Sequence, residues 1–180
     1  MAYFHGTRGL GLTFVRGSGS ELTVYSDADY ADESNDRGSI SGTALTLGGA
    51  AVSWASSTQR CVMLSTTEAE HVALGEGVKE TLFTGAVLPF IRPELSGSCV
   101  RVFEDNQGAI ALAENPLSFA RSTHIDVRFH FVREILRAKK IDIQLVASEE
   151  QHADIFTKSL AATPFKYQLG ILLNLPLKGE

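Results

Sequence analysis

Four carboxylates in this 180-residue sequence adjoin apolar segments. Asp27 lies inside the strand-like run LTVYSDADY, and Glu70 lies in STTEAEHVAL, which has the pattern of a helix start. Asp105 ends the apolar run CVRVFED, and Asp154 directly precedes the apolar pair IF. A buried carboxylate is costly unless a cation or hydrogen-bond donors compensate for its charge. These four residues are therefore candidates for one shared, charge-compensated site.

A divalent metal site would provide that compensation. Hard cations such as Mg²⁺ prefer carboxylate oxygens, and two ions about 3.5–4 Å apart need several such oxygens from separate elements. Four carboxylates on four elements meet this requirement. Each also has an ordinary structural interpretation, since Asp105 fits a helix N-cap and Glu70 fits a charge near a helix N-terminus. Spacing alone leaves both interpretations open.

The helix that carries Glu70 also carries Glu68, and only one of them can face a shared site. Two residues correspond to about 200° of rotation around an α-helix. Glu70 shares its face with Ala73, Leu74 and Gly77, which form the apolar side of the predicted helix. The helix pattern therefore favours Glu70.

The elements that must position these residues follow from the periodicity and the turn residues. Short strands are predicted over 22–30, 39–47 and 50–55, and turn-rich segments that favour an antiparallel meander separate them. A long helix from Ser65 comes next, and Ser65 is a suitable N-cap. The remaining order is strand, two helices, strand and helix, with Asp154 in the last helix. This order predicts an α/β fold with a mixed sheet flanked by helices.

Composition excludes several classes of protein. With 44% hydrophobic and 21% charged residues, the chain matches an ordinary globular protein. No run of 18 apolar residues occurs and the N-terminus lacks the pattern of a signal peptide, so we expect an intracellular protein without a membrane anchor. The net charge of −5 argues against a broadly cationic surface.

Cys61 and Cys99 are predicted to be reduced thiols in the core, and Trp54 is also predicted to be buried.

The sequence resembles the ribonuclease H domain of copia-type LTR retrotransposon polyproteins. The resemblance covers roughly residues 3 to 160 and is carried by several motifs in order. They read SDAD, STTEAE, EDNQGAI, THIDVRFHFVRE and HADIFTK.

This resemblance implies the domain organisation and a more specific fold. The implied fold is that of ribonuclease H, with a mixed five-stranded sheet of three antiparallel strands followed by two parallel ones. Residues 1–20 would be the remnant of a connection to reverse transcriptase, 21–162 the ribonuclease H domain, and 163–180 a C-terminal helix and tail.

The resemblance also implies an activity. The domain would cleave the RNA strand of RNA:DNA hybrids with two Mg²⁺ ions, for which Mn²⁺ would substitute. Asp27 would bridge both ions, Glu70 and Asp105 would complete the pair, and Asp154 would hold the ion that prepares the attacking water. Its partners would be the hybrid and the reverse transcriptase domain of the same polyprotein, inside the cell or a virus-like particle.

A basic segment could hold the hybrid. Residues 121–140 contain six Lys or Arg residues and two acidic residues, a local charge of +4 in an acidic chain. A solvated helix face explains the same charges equally well. The candidate contacts to nucleic acid are Arg121, His124, Arg128 and Arg133.

Two other classes of function remain open. A domesticated copy of the domain could bind nucleic acid without cleaving it. A DNA-strand transferase of the same superfold is a third class, although three strands before the glutamate-bearing helix and a carboxylate near the end favour ribonuclease H.

Overall fold

Three strands at the start of the chain form an antiparallel meander, in a computed structural model that describes residues 6–30, 38–95, 97–115 and 123–175. They are β1 (Leu22–Asp29), β2 (Ile40–Leu47) and β3 (Ala50–Thr58). In their register Asp27 lies opposite Gly42, and Ala44 lies opposite Trp54. The predicted meander is confirmed, with β3 longer than predicted.

Two parallel strands complete the sheet on the other side of β1. They are β4 (Val100–Glu104) and β5 (Ile141–Leu145), and the order across the sheet is β3-β2-β1-β4-β5. β4 runs parallel to both β1 and β5. The predicted mixed five-stranded sheet is therefore confirmed. Because β1 and β4 are adjacent and parallel, their C-terminal ends lie at the same edge of the sheet.

Helices in the described part of the chain accompany the sheet. They are α1 (Thr66–Ile91), α2 (Gln107–Glu114), α3 (Thr123–Arg137) and α4 (Ala162–Leu172). The predicted N-cap is confirmed, because the Ser65 hydroxyl accepts a hydrogen bond from the Glu68 backbone N–H at 3.2 Å. Within the described part of the chain, no helix combines the length and the apolar character that crossing a membrane requires.

The main core fills the space between the sheet and helices α1, α2 and α3. Its fully buried members include Val24 from β1, Leu74 from α1, Val102 from β4 and Val132 from α3. The opposite face of the sheet is covered by α4, whose Leu172 packs with Ala44 and Ala51. Burial on both faces holds β1, the central strand, in a fixed position.

The C-terminal part of the domain differs from the prediction. The sequence predicts an α-helix over residues 149–160, but the structure has two short 3₁₀ turns, Ser148–Glu150 and Asp154–Phe156. Long-range contacts explain the difference: the Gln151 side-chain amide donates to the Ser26 carbonyl at 2.8 Å, and Phe156 packs beside the cluster of Ala44 and Leu172. A continuous helix would not present both side chains to the sheet.

Two predictions about burial are wrong. Trp54 is 55% exposed because β3 is the edge strand and most of its residues beyond Ala51 face solvent. Cys99 is exposed just before β4, and Cys61 is partly buried. Both thiols are free, as predicted.

Gly42 is expected to be essential for seating the second 3₁₀ turn on the sheet. A Cβ atom at this position would lie 2.6 Å from Thr157 Cγ2 and 2.9 Å from the Ala153 carbonyl oxygen. We expect Gly42→Ala to reduce the free energy of unfolding by about 1–3 kcal/mol, the usual cost of overpacking. Urea denaturation measures this change. Gly85→Ala in α1 is the control, because its Cβ would meet nothing within 4 Å, and an equal loss in both variants would contradict the packing explanation.

Candidate metal centre

Three carboxylates meet where β1, β4 and α1 come together. Asp27 lies near the C-terminal end of β1, Asp105 directly follows β4, and Glu70 lies near the start of α1. One carboxylate oxygen from each residue lies within 4.8 Å of the others. The parallel β1–β4 pair supplies two of the three residues, and the packing of α1 against β1 supplies the third. Three of the four predicted residues are thus brought together.

Asp27 is the most buried of the three, with 1% of its surface exposed. Its Oδ2 atom accepts a short hydrogen bond from the Thr157 hydroxyl. The Lys158 ammonium lies 3.7 Å from the same oxygen. A hydroxyl donor and a nearby cation therefore compensate part of the cost of burying this charge.

Glu70 is buried with little compensation. Its Oε2 atom has no hydrogen-bond partner within the described residues. Burial, followed by the negative charges of Glu104, Asp27 and Asp105, raises the pKa of this carboxyl to about 10. Glu68 has a different role, because its carboxylate accepts a hydrogen bond from the Leu64 backbone N–H at 2.9 Å. This bond helps to cap the N-terminus of α1.

Asp105 lies at the mouth of the site and is only partly buried. Its Oδ2 atom accepts a hydrogen bond from the Ser148 hydroxyl at 2.7 Å. The N-cap of α2 is the next residue, Asn106, whose side chain accepts from the Ala109 backbone N–H at 3.0 Å. The ordinary N-cap interpretation of Asp105 is therefore not needed, and its carboxylate is left to the site.

Asp154 lies beside Asp27 but outside the group of three. Its Oδ1 atom is 2.9 Å from the Lys158 ammonium, so Lys158 contacts both aspartates. Burial and the charge of Asp27 raise the pKa of Asp154 to about 6. Burial lowers the pKa of Lys158, but the attraction of Asp27 and Asp154 outweighs it and the net shift is upward.

Two further residues contact the predicted ones, and the sequence alone does not identify them. Glu104 is fully buried and accepts hydrogen bonds from the Ser26 hydroxyl at 3.1 Å and the Asn106 backbone N–H at 3.2 Å. Burial raises its pKa well above the usual value. Lys158 is the second. The adjacent acids of EDN and the terminal cation of ADIFTK were the available signals, but neither identifies a partner.

His152 has a structural environment. Its side chain is 7% exposed, its Nδ1 contacts the Gln168 side-chain oxygen, and its ring lies 4.6 Å from that of Tyr25. Burial lowers the pKa of this imidazole. These contacts link α4 to the sheet. His152 lies on the same face of β1 as Tyr25.

The structure describes the side chains of only some of the residues predicted to contact nucleic acid. Arg121 lies outside the described residues, as do the side chains of His124 and Arg128. Arg133 is 6% exposed and its guanidinium approaches His130 Nδ1 at 3.4 Å. Most of the Arg133 side chain is therefore covered by the protein, and contact of these four residues with nucleic acid stays a prediction.

The residues present fit a divalent metal. The donor set consists of hard oxygen ligands from three elements, the kind of set that Mg²⁺ and Mn²⁺ prefer. Glu70 supplies an independent observation, since a buried carboxylate oxygen without a hydrogen-bond partner needs a cation or a proton. Asp27, Glu70 and Asp105 could therefore hold one ion, and Asp154 lies close enough to Asp27 to contribute to a second.

Relatives with similar sequences are polyproteins of plant transposons. The chain is 37% identical over 166 residues to the retrovirus-related Pol polyprotein from transposon TNT 1-94 of Nicotiana tabacum. It is 32% identical over 166 residues to that from transposon RE1 of Arabidopsis thaliana. Each alignment covers 92% of this chain, which spans only 12% and 11% of the two polyproteins. No family model matches the chain.

Solved structures with a similar fold include ribonucleases H. The N-terminal ribonuclease H domain of rv2228c from Mycobacterium tuberculosis has a TM-score of 0.55 at 9% identity, and the match covers 83% of this chain and 96% of that one. LC11-RNase H1, solved in complex with an RNA/DNA hybrid, has a TM-score of 0.54 at 14% identity, with 76% and 94% covered. Identities this low show the shared fold alone. The chain is therefore homologous to one segment of the retrovirus-related Pol polyproteins of plant transposons, and it has the ribonuclease H fold.

Proposed function

We propose that this chain is a metal-dependent endoribonuclease that cleaves the RNA strand of RNA:DNA hybrids during reverse transcription of a copia-type retrotransposon. The observation that carries the proposal is the convergence of Asp27, Glu70 and Asp105 within 4.8 Å at one edge of the sheet. Homology to Pol polyproteins and the ribonuclease H fold support the class of reaction. The LC11 enzyme, which shares this fold, was solved with such a hybrid.

The residues of the site have distinct roles in this proposal. Asp27, Glu70 and Asp105 would hold one divalent ion, and Asp154 with Asp27 would hold a second. When bound, such ions lower the pKa of a water molecule and stabilise the leaving oxygen of a phosphodiester. Thr157 and Ser148 orient Asp27 and Asp105 through hydrogen bonds to one oxygen of each. The other oxygen of each carboxylate is thereby left for the ion that Asp27, Glu70 and Asp105 would hold.

The context of the relatives suggests partners and a location. Because the chain matches a small part of each polyprotein, a reverse transcriptase domain of the same polyprotein is the proposed partner, and an intracellular virus-like particle is the proposed location. Tethering to such a domain would raise the effective concentration of the hybrid at a chain with a net charge of −5.

Cleavage of a labelled hybrid tests the proposal. We expect the purified chain with Mg²⁺ to cut only the RNA strand, to leave an all-DNA duplex intact, and to stop when EDTA removes the metal. Asp105→Asn should lose activity by roughly a thousandfold, because losing about 4 kcal/mol of metal-dependent stabilisation corresponds to that factor. Gel analysis of the end-labelled strands measures both results.

The controls of this assay separate the competing functions. Ser98→Ala, an exposed substitution outside the site, should retain activity. Binding of the hybrid without cleavage, in Mg²⁺ and in Mn²⁺, would favour a silent nucleic-acid-binding module. Processing of DNA ends would favour a strand transferase.

A further inference from the structure

The second cation position of the proposed site already holds a positive charge. The Lys158 ammonium lies 2.9 Å from Asp154 Oδ1 and 3.7 Å from Asp27 Oδ2. These are the two carboxylates assigned to the second ion, whereas neither Glu70 nor Asp105 has an ion pair with this lysine in the described structure. The site therefore combines a three-carboxylate group with a second position that a lysine occupies.

We propose that Lys158 is the resident counter-ion of the second metal position, and that its ammonium must leave Asp154 and Asp27 before a second divalent ion binds. The inference rests on the proposed function and adds the order in which the two metal ions bind. The group of Asp27, Glu70 and Asp105 takes the first ion without displacing Lys158. The second ion has to compete with a cation supplied by the chain.

The surroundings of Lys158 make this exchange feasible. Its side chain is 41% exposed, while the side chains of its partners are 2% (Asp27) and 14% (Asp154) exposed. It follows the 3₁₀ turn Asp154–Phe156, and its backbone N–H donates to the Asp154 carbonyl at 3.1 Å. The four-carbon stem can therefore carry the ammonium into solvent while this backbone contact holds Asp154 in place.

Thr157, the neighbour of Lys158, is a second partner of Asp27 and is more tightly held than the lysine. Thr157 is 6% exposed, its hydroxyl donates to Asp27 Oδ2, and the hydroxyl oxygen lies 3.2 Å from the Asp154 carbonyl oxygen. A short buried side chain with these contacts has little freedom to leave Asp27. Lys158 contributes charge without such anchoring, so it is the group that can be exchanged for an ion of higher charge.

The expected behaviour is metal binding in two steps of unequal affinity. Calorimetric titration of the full chain with Mn²⁺ should show a tighter and a weaker step. In Lys158→Met the Kd of the weaker step should fall about three- to tenfold, the range expected when a partly exposed ion pair no longer competes, while the tighter step changes little. Lys158→Arg keeps a cation at this position and should retain the weak second step.

Thermal unfolding provides a second readout that does not depend on activity. Lys158→Met should lower the Tm of the metal-free protein, because Asp27 and Asp154 lose their cation. At saturating Mn²⁺ the Tm should equal or exceed that of the unmodified chain. Lys166→Met, which removes an exposed lysine from α4, controls for the change in net charge.

Three outcomes would overturn the inference in different ways. If Lys158→Met lowers the Tm equally with and without Mn²⁺ and leaves both Kd values unchanged, the ion pair is only structural. If both proteins bind a single ion, no second position exists for Lys158 to occupy. If the unmodified chain binds no Mn²⁺ at all, the proposed function fails, and the inference fails with it.

Discussion

Glu70→Gln is expected to reduce RNA cleavage by roughly a thousandfold and, at the same time, to stabilise the metal-free protein. The substitution removes a ligand of the proposed site, and a loss of about 4 kcal/mol in metal-dependent stabilisation corresponds to that factor in rate. It also removes an ionisable group whose pKa is raised to about 10 by burial and by Glu104, Asp27 and Asp105. At neutral pH folding requires this carboxyl to take up a proton, and a neutral amide of the same shape avoids that cost.

Glu68→Gln is the matched control for this result. Both glutamates are buried near the start of α1, but Glu68 accepts a hydrogen bond from the Leu64 backbone N–H, and an amide oxygen can still accept it. We expect this variant to cleave hybrid normally and to change in stability by less than about 1 kcal/mol. The measurements are single-turnover cleavage in Mg²⁺ and urea denaturation in EDTA. Equal losses of activity in the two variants would contradict the assignment of Glu70.

The second large effect is a fall in the stability of the metal-free protein as the pH rises above about 7. Glu70 keeps its proton up to about pH 10 in the folded protein, whereas an unfolded glutamate releases it near pH 4.5. The folded state therefore holds more protons between these values, and stability decreases with pH by up to about 1.4 kcal/mol per pH unit for each such group. Glu104, whose pKa is raised by burial, acts in the same direction.

His71 produces the opposite slope, but only at lower pH. Burial lowers the pKa of this imidazole to about 4, so unfolding takes up a proton below its usual pKa of 6.5. Its contribution to stability is present above pH 6.5 and is lost as the pH falls. The interval from pH 7 to 9 therefore isolates the buried carboxyls.

Urea denaturation midpoints in EDTA and in saturating Mg²⁺ measure this dependence. Because metal binding requires the deprotonated carboxylate, the stabilisation by Mg²⁺ should increase from pH 7 to 9. Glu70→Gln should flatten the slope in EDTA. A metal-free stability that is constant over this interval would show that Glu70 is already ionised without a cation.

The sequence was most informative where local pattern and chemistry agreed. The turn residues around Gly48 and Gly49 and the Ser65 cap predict the meander and the start of α1 without knowledge of the tertiary fold. Helix periodicity is sufficient to separate Glu70 from Glu68. Asp105 is a candidate because functional side chains often lie where a strand ends before a helix, but only the structure shows that Asn106, and not Asp105, caps α2.

The features of the fold and of the site that the sequence does not predict depend on contacts between residues far apart in the chain. The Asp154 segment forms a 3₁₀ turn because Gln151 and Thr157 bond to β1, and Gly42 leaves room for it on β2. Glu104 gains its role only when the sheet order places β1 beside β4, and Lys158 gains its role only when its segment packs beside Asp27 of β1. Trp54 is exposed because β3 is an edge strand, a property that periodicity does not reveal.

The most direct test of the metal centre is a crystal structure of the chain soaked with Mn²⁺, analysed by anomalous scattering. We predict a strong anomalous peak about 2.0–2.3 Å from carboxylate oxygens of Asp27, Glu70 and Asp105, with a weaker peak beside Asp154 at higher Mn²⁺ concentration. A protein that cuts hybrid while its Mn²⁺ lies elsewhere, with these three carboxylates uncoordinated, would contradict the account.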